Sequence, residues 1–188
     1  CRTQILTIFI SLVTCVSCKV NEKIERRCIN YYKTGEDTDL NVLAGSWYAV
    51  YFWPPNQRQR DNCGVINFNK VTPFQISSTY NNCSANNIPR EETVLQSTYT
   101  DNTGKLKNVF YYGKEEVKNQ LRSCEKLSKY LFIDIDDDYM LGINCSMGGR
   151  GVLLSRTLPT LAVVQSVVED IEIMAGRVGS PDCQLPTR

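Results

Sequence analysis

Histidine does not occur in this chain. Its absence excludes Ser–His–Asp and Cys–His nucleophilic catalysis, histidine-ligated zinc and a proximal-histidine haem. No other nucleophile–base set stands out, so the chain is read as a non-enzyme with no catalytic residues. Net charge is almost absent: 21 basic residues stand against 20 acidic ones. Nothing in that balance steers the protein toward nucleic acid or an anionic membrane. Gly148-Gly149 is not followed by Gly-Lys-Ser/Thr, so it is a turn rather than a phosphate loop. Long apolar runs are missing too, except one near the start.

That run, ILTIFISLVTCVSC at 5–18, follows Arg2 and ends in small residues, the layout of a secretory signal peptide. It is short for a membrane span, so no stable membrane insertion is expected. Residues 1–18 are assigned to the signal and 19–188 to one domain. Without the signal, which carries Arg2 as its one charge, 20 basic and 20 acidic residues remain. Six cysteines also remain: Cys28, Cys63, Cys83, Cys124, Cys145 and Cys183. An even number in a secreted chain reads as three disulfides, and no two of the six have the CxxC spacing of a zinc or redox site. Sequons occur at Asn82 and Asn144, in keeping with an extracellular glycoprotein.

Residues 19–42 are polar without a clear period and read as an N-terminal arm. Beyond Gly45, runs rich in Val, Ile, Tyr, Phe and Thr alternate with turn residues: 46–53, 63–69, 74–80, 93–100, 105–113, 129–136, 139–147 and 150–157. Eight such runs at short spacing predict an all-β barrel or sandwich over 43–158. Asp101-Asn102-Thr103-Gly104 is a hairpin turn. A helix is expected over 159–176, entered through Pro159 and Thr160 and stopped by Gly176. It places Leu161, Val164, Val168, Ile171 and Ala175 on one face, to lie against the outside of the β structure. A tail, 177–188, contains Cys183. DIDDDY at 134–139 matches the first three ligand positions of an EF-hand loop. Tyr139 and Cys145 then stand where glycine and glutamate are needed, so this is an acidic turn and no metal is expected.

Three short motifs in order give the chain a family resemblance. Gly45-Ser46-Trp47 resembles the first lipocalin motif, Asp138-Tyr139 the end of the second (with Asp137 in place of threonine), and Leu154-Ser155-Arg156 the third. The resemblance covers residues 28 to 183. It implies an eight-stranded antiparallel up-and-down barrel with one C-terminal α-helix, and Gly45, Trp47, Asp138, Tyr139 and Arg156 as structural motif residues. Trp47 would pack at the closed end of the barrel beneath Arg156. The cysteines look closest to the arthropod bilin-binding and apolipoprotein D-like branch. That likeness implies Cys28–Cys145 and Cys63–Cys183, and leaves Cys83 with Cys124 as a departure from the two-bridge pattern.

Strand alternation then sorts the interior. With Trp47 inward, Ala49, Tyr51 and Trp53 follow. Outward Cys63 makes Gly64, Ile66 and Phe68 inward, and outward Cys145 makes Met140, Gly142, Asn144 and Ser146 inward. Arg156 inward takes Val152 and Leu154 with it. Outward lysines make Leu106, Asn108, Phe110 and Tyr112 inward; outward Asp134 and Asp136 do the same for Leu131, Ile133 and Ile135. Candidate ligand-binding residues are therefore Tyr51, Trp53, Phe68, Phe110, Tyr112, Asn144, Ser146, Val152 and Leu154. Such a mixture suits a small hydrophobic molecule with one or two polar groups, a bilin, pheromone, sterol or fatty acid. An inward Asn144 leaves Asn82 as the glycosylation candidate. The functional expectation is a secreted carrier of a small hydrophobic ligand. The alternative is a secreted, salivary-type protein with a filled or reduced cavity that acts on a protein target. The PPNQRQRDN loop after Trp53 is expected to form a mobile lip at the open end.

Overall fold

The computed structural model describes Cys28 and residues 39–57, 59–72, 74–76, 94–101, 103–113, 117–123 and 126–187. The apolar N-terminal run, the sequon at Asn82 and the Cys83–Cys124 pairing lie outside the described residues.

Eight antiparallel strands follow one another around a closed barrel: β1 (Gly45–Trp53), β2 (Gly64–Val71), β3 (Val94–Thr100), β4 (Leu106–Tyr112), β5 (Val117–Ser123), β6 (Lys126–Asp134), β7 (Tyr139–Asn144) and β8 (Arg150–Ser155). Each pairs with the next, and β1 closes the ring by pairing with both β2 and β8. A two-residue strand, β9 (Ser180–Pro181), pairs with Tyr51 and Phe52, beyond the part of β1 that β2 reaches. One helix, α1 (Leu161–Asp170), lies outside the barrel. The expected up-and-down barrel with a single C-terminal α-helix is what the chain forms. Among the described residues no helix is long and apolar enough to cross a membrane.

Three assignments differ from expectation. Residues 74–76 of the run 74–80 form a helical turn rather than strand. The missing strand is β5, VKNQLRS, whose Lys118 and Gln120 face in while Val117 and Leu121 pack outside. An apolar scan passes over a strand of that pattern. The helix also stops earlier than Gly176. Thr160 caps its start by accepting from the Val163 amide, and Ile171 leaves helical geometry with ψ of 86°. A 3-10 turn over Glu172–Met174 then carries Met174 into the packing beneath α1.

The chain builds two main apolar layers. Inside the barrel lie Trp47, Phe68, Leu95, Val109, Phe132, Met140 and Leu154. Outside, under α1, lie Val50, Trp53, Leu131, Leu141, Ile143 and Leu153, meeting Val164 and Ile171. The outer layer corrects several expected orientations. In β1 the register against β8 shifts between Ala49 and Tyr51. Val50 is thus one extra residue, a bulge, and reverses the alternation beyond it. Phe52 therefore turns inward, while Tyr51 and Trp53 turn outward, their ring centroids 4.6 Å apart and their planes tilted by 53°. In β4 the inward row is Lys107, Val109 and Tyr111. Lys107 faces in at the rim, where its amine reaches solvent and Asp101 at 3.4 Å. Phe110 and Tyr112 consequently pack outside and Leu106 is exposed. In β6, Tyr130 and Phe132 face in, and Leu131, Ile133 and Ile135 face out because the helix covers that side.

Among the described residues two disulfides are formed, Cys28–Cys145 and Cys63–Cys183, with Cα–Cα distances of 6.0 and 4.8 Å. They are the two bridges that the family resemblance implies.

Candidate functional site

One end of the barrel is shut by residues adjoining its first strand. The segment Leu40–Leu43 forms a 3-10 turn begun by Asp39, whose carboxylate accepts from the Asn41 amide, and it buries Leu40 and Leu43. The Trp47 indole donates to the Leu43 carbonyl at 2.9 Å. Arg156 lies over the indole, its guanidinium carbon 3.7 Å from the ring centroid. It also donates to the carbonyls of Ala44 at 2.9 Å and Val42 at 2.7 Å. Gly45 sits at φ +102°, and a Cβ there would stand 3.1 Å from the guanidinium; both facts call for glycine. Asp138 and Tyr139 open β7 nearby. The Asp138 carbonyl accepts from the Arg156 amide at 2.9 Å, and Asp136, not Asp138, closes the acidic turn by accepting from two amides.

Above the plug comes an aromatic layer. Phe132 stands 5.1 Å from Tyr111 and 4.9 Å from Tyr130, and Phe68 stands 6.1 Å from Tyr111 and 6.2 Å from Phe132. Gly142 makes room for this layer: a Cβ would lie 2.7 Å from the Tyr130 hydroxyl. These rings fill the lower barrel and form the floor of a cavity.

The cavity, about 490 Å³, opens at the other end. Its apolar wall is Ala49, Phe52, Ile66, Tyr99, Tyr111, Tyr130, Met147 and Val152. Its polar lining is Asn56, Arg60, Asp101, Thr103, Arg122, Asn144, Arg150 and Asp182. One network ties part of this lining together. Gln120, buried at 1% exposure, donates to the Tyr111 hydroxyl at 2.7 Å. Its carbonyl oxygen accepts from Arg122 Nε at 3.0 Å and more weakly from the Asn144 amide at 3.4 Å. Burial raises the Tyr111 hydroxyl to a pKa of about 12, and the Gln120 hydrogen bond opposes that shift. Burial, reinforced by neighbouring Tyr111, pushes Tyr130 well above the ordinary phenol value. Both rings therefore present neutral hydroxyls to an occupant at neutral pH.

The loop after β1 is tied to the C-terminal tail. Arg60 exchanges backbone hydrogen bonds with Asp182 and Gln184 at 2.8 and 3.0 Å, and Gln59 donates to the Cys183 carbonyl at 2.7 Å. The Cys63–Cys183 disulfide closes the same junction. Asp182 is buried at 1% exposure; Asn56 donates to one of its oxygens, and Arg60 Nε stands 3.5 Å from the other. That second contact is an ion pair without hydrogen-bond geometry.

Of the nine candidate ligand residues, Asn144 and Val152 line the cavity. Phe68 and Leu154 lie deeper in the barrel's packed interior. Tyr51 and Trp53 pack outside under the helix, and Phe110 and Tyr112 in a separate outer cluster. Ser146 is exposed in the turn after β7, where its hydroxyl accepts from the Lys129 amide at 2.8 Å. Sequence reasoning missed Phe52, hidden by the bulge, and Gln120 and Arg122, hidden in β5. The usable signal was alternation itself: Val117 and Leu121 at spacing four, with polar residues between them. Among the described residues no cluster of His, Cys, Asp or Glu is placed to hold a metal ion.

No protein-family model and no curated protein matches the chain. Solved structures do align with it. Lobster apocrustacyanin A1 aligns at 14% identity and a TM-score of 0.47, over 78% of this chain and 79% of its own. Apocrustacyanins C2 and C1 each align at 14% identity and 0.46, over 77% of this chain and 78% of theirs.

Proposed function

We propose that this protein binds one compact, mainly hydrophobic molecule in the open end of the barrel and carries it outside the cell. The observation that carries the reading is the 490 Å³ cavity, walled by aromatic and aliphatic side chains above a filled floor. That volume lies in the lower part of the usual range for small-molecule sites, roughly 300–1,000 Å³. It favours a short or folded ligand over one running the length of the barrel. Tyr111 and Tyr130 would supply hydroxyl contacts and Asn144 an amide, the few fixed polar groups that orient an apolar body. The sequence resemblance to lipocalins supports the same reading. An extracellular location is supported by two disulfides and by the apolar run at 5–18; glycosylation at Asn82 belongs to the same proposal. No enzymatic activity is part of this proposal.

The test is titration of unliganded protein with bilins, retinoids, sterols and fatty acids, following intrinsic fluorescence and native mass. Saturable binding of one molecule per barrel, lost in Val152→Trp, is expected. No saturable binding by any member of the panel would overturn the reading.

A second reading has its own observation. Leu106, Leu127 and Met147, exposed at 66%, 56% and 48%, all stand at the open end. Three large apolar side chains around one rim favour contact with a protein target. Pull-down from extracellular fluid with wild type, compared with a Leu106→Asp/Leu127→Asp variant, separates the two readings.

A further inference from the structure

Two tyrosines stand side by side in the cavity wall, and they are not equivalent. Tyr111 and Tyr130 meet edge to face with ring centroids 5.3 Å apart. Tyr111, on β4, already has its hydroxyl engaged: Gln120 donates to it at 2.7 Å. Tyr130, on β6, is 7% exposed, and its hydroxyl has no hydrogen-bond partner among the described residues. Nor is that hydroxyl sealed in. Among the described residues the fully buried side-chain polar atoms without a partner are Ser155 Oγ and Asp182 Oδ2. The Tyr130 hydroxyl is not one of them, so it keeps contact with the open space of the cavity that the residue lines.

Its depth follows from the strand register. Tyr130 pairs with Asn144 across the sheet, and Phe132 pairs with Gly142, one inward row nearer the plug. The hydroxyl reaches down to that row, because a Cβ on Gly142 would lie 2.7 Å from it. It therefore stands at the floor of the cavity. The oxygens on this wall are already engaged. Gln120 Oε1 accepts from Arg122 and Asn144, and Asn144 Oδ1 accepts from the Ser146 amide. What the wall has left to give is hydrogen: the Tyr130 O–H and, one row above its tip, the second amide hydrogen of Asn144. A buried hydroxyl without a partner gains from any acceptor that reaches it. The acceptor that fits is uncharged. A carboxylate would lose its hydration at this depth, whereas a carbonyl has far less to lose. Burial also holds the Tyr130 proton in place well above neutrality, so the group is a donor.

Resting on the cavity-binding reading above, we propose that the occupant is a compact apolar molecule bearing a carbonyl oxygen, bound oxygen end first, with that oxygen accepting from Tyr130 at the floor. Its apolar body then fills the space beside Phe52, Ile66 and Val152.

The probe is 6-propionyl-2-(dimethylamino)naphthalene, a ketone whose emission moves to longer wavelength when its carbonyl accepts a hydrogen bond. The control ligand is its 6-propyl analogue, which lacks that oxygen. The ketone is expected to bind one per barrel. Tyr130→Phe should weaken it roughly three- to ten-fold, the contribution of one neutral hydrogen bond, and move its bound emission to shorter wavelength. The analogue should bind wild type and Tyr130→Phe equally, which completes the cycle. Unliganded Tyr130→Phe should melt at or above wild type, because no bond is lost, whereas Tyr111→Phe, which breaks the bond from Gln120, should melt lower. If Tyr130→Phe weakens ketone and analogue alike, the ring and not the hydroxyl is responsible and the carbonyl inference fails. If it weakens neither, the inference fails and the cavity reading stands. If neither probe binds wild type, both fail. If Tyr130→Phe destabilises the unliganded protein as much as Tyr111→Phe does, the hydroxyl has a partner of its own and the inference is again overturned.

Discussion

The Arg156 guanidinium carbon stands 3.7 Å from the centroid of the Trp47 ring while two of its nitrogens donate to the carbonyls of Ala44 and Val42. One side chain thus joins the last barrel strand, the first, and the turn that precedes it. Cation and ring attract by roughly 1 kcal/mol, and two hydrogen bonds from a charged donor add to that. Trp47→Ala, which removes the buried ring, should cost about 3–5 kcal/mol, and Arg156→Ala about 2–3 kcal/mol. Chemical denaturation checks both. Probe affinity at the mouth should stay near wild type, since the aromatic layer separates plug from cavity.

Gly142 faces Tyr130 so closely that alanine must displace the ring, because a Cβ would lie 2.7 Å from its hydroxyl. Gly142→Ala should lower stability by about 1–3 kcal/mol, the usual cost of overpacking. It should also change probe affinity, since Tyr130 lines the cavity. A variant with wild-type melting and wild-type affinity would contradict the packing described for that layer.

The Cys63–Cys183 bridge closes a loop of 120 residues. Replacing both cysteines by serine should cost about 4–5 kcal/mol in the chain-entropy account. Hydrogen exchange should then rise first at Arg60 and Gln184, whose amides belong to the fastened junction.

Alkaline stability follows from Tyr111. Its hydroxyl loses a proton near 12 in the folded chain, against 10.0 for an exposed phenol. Between those values the unfolded state has released the proton and the folded state has kept it, so rising pH favours unfolding. The contribution is whole below about pH 10 and is lost as pH climbs through the folded value; two units correspond to on the order of 2–3 kcal/mol. Tyr130 acts in the same direction. Absorbance at phenolate wavelengths, followed with circular dichroism, should show these two rings titrating together with unfolding. Tyr111→Phe should remove part of the alkaline loss. Near neutrality, with no histidine to titrate, ligand binding should be insensitive to pH.

How far the chain could be read in advance depended on which contacts were local. The β-barrel was legible in its short apolar runs, and the plug and both described disulfides through the family resemblance that Gly45, Trp47, Arg156 and the cysteines carry. The wall of the cavity was legible only in part. Alternation assigns faces correctly where a strand is regular, as Gly64, Ile66, Asn144 and Val152 illustrate. One extra residue at Val50 reversed Tyr51, Phe52 and Trp53, and no local pattern marks it, since Val50 and its neighbours are all apolar. In β4 and β6 the charged residues were taken as outward anchors. Lys107 faces in at the rim, and the face opposite Tyr130 is apolar because α1 covers it. Burial by a distant helix leaves no trace in six residues of strand.

Both covalent links have an end on the same side of the molecule: Cys145 begins the turn after β7 and Cys63 precedes β2, each at the open end. Among the described residues no disulfide reaches the opposite end. The softest region of this protein should therefore be its closed base, and the entrance should behave as a rigid collar. An occupant would enter and leave by rotamer changes of Phe52, Met147 and the arginines, without backbone opening. Its exchange should be fast and weakly temperature-dependent until the bridges are reduced, after which the entrance would become the part that melts first.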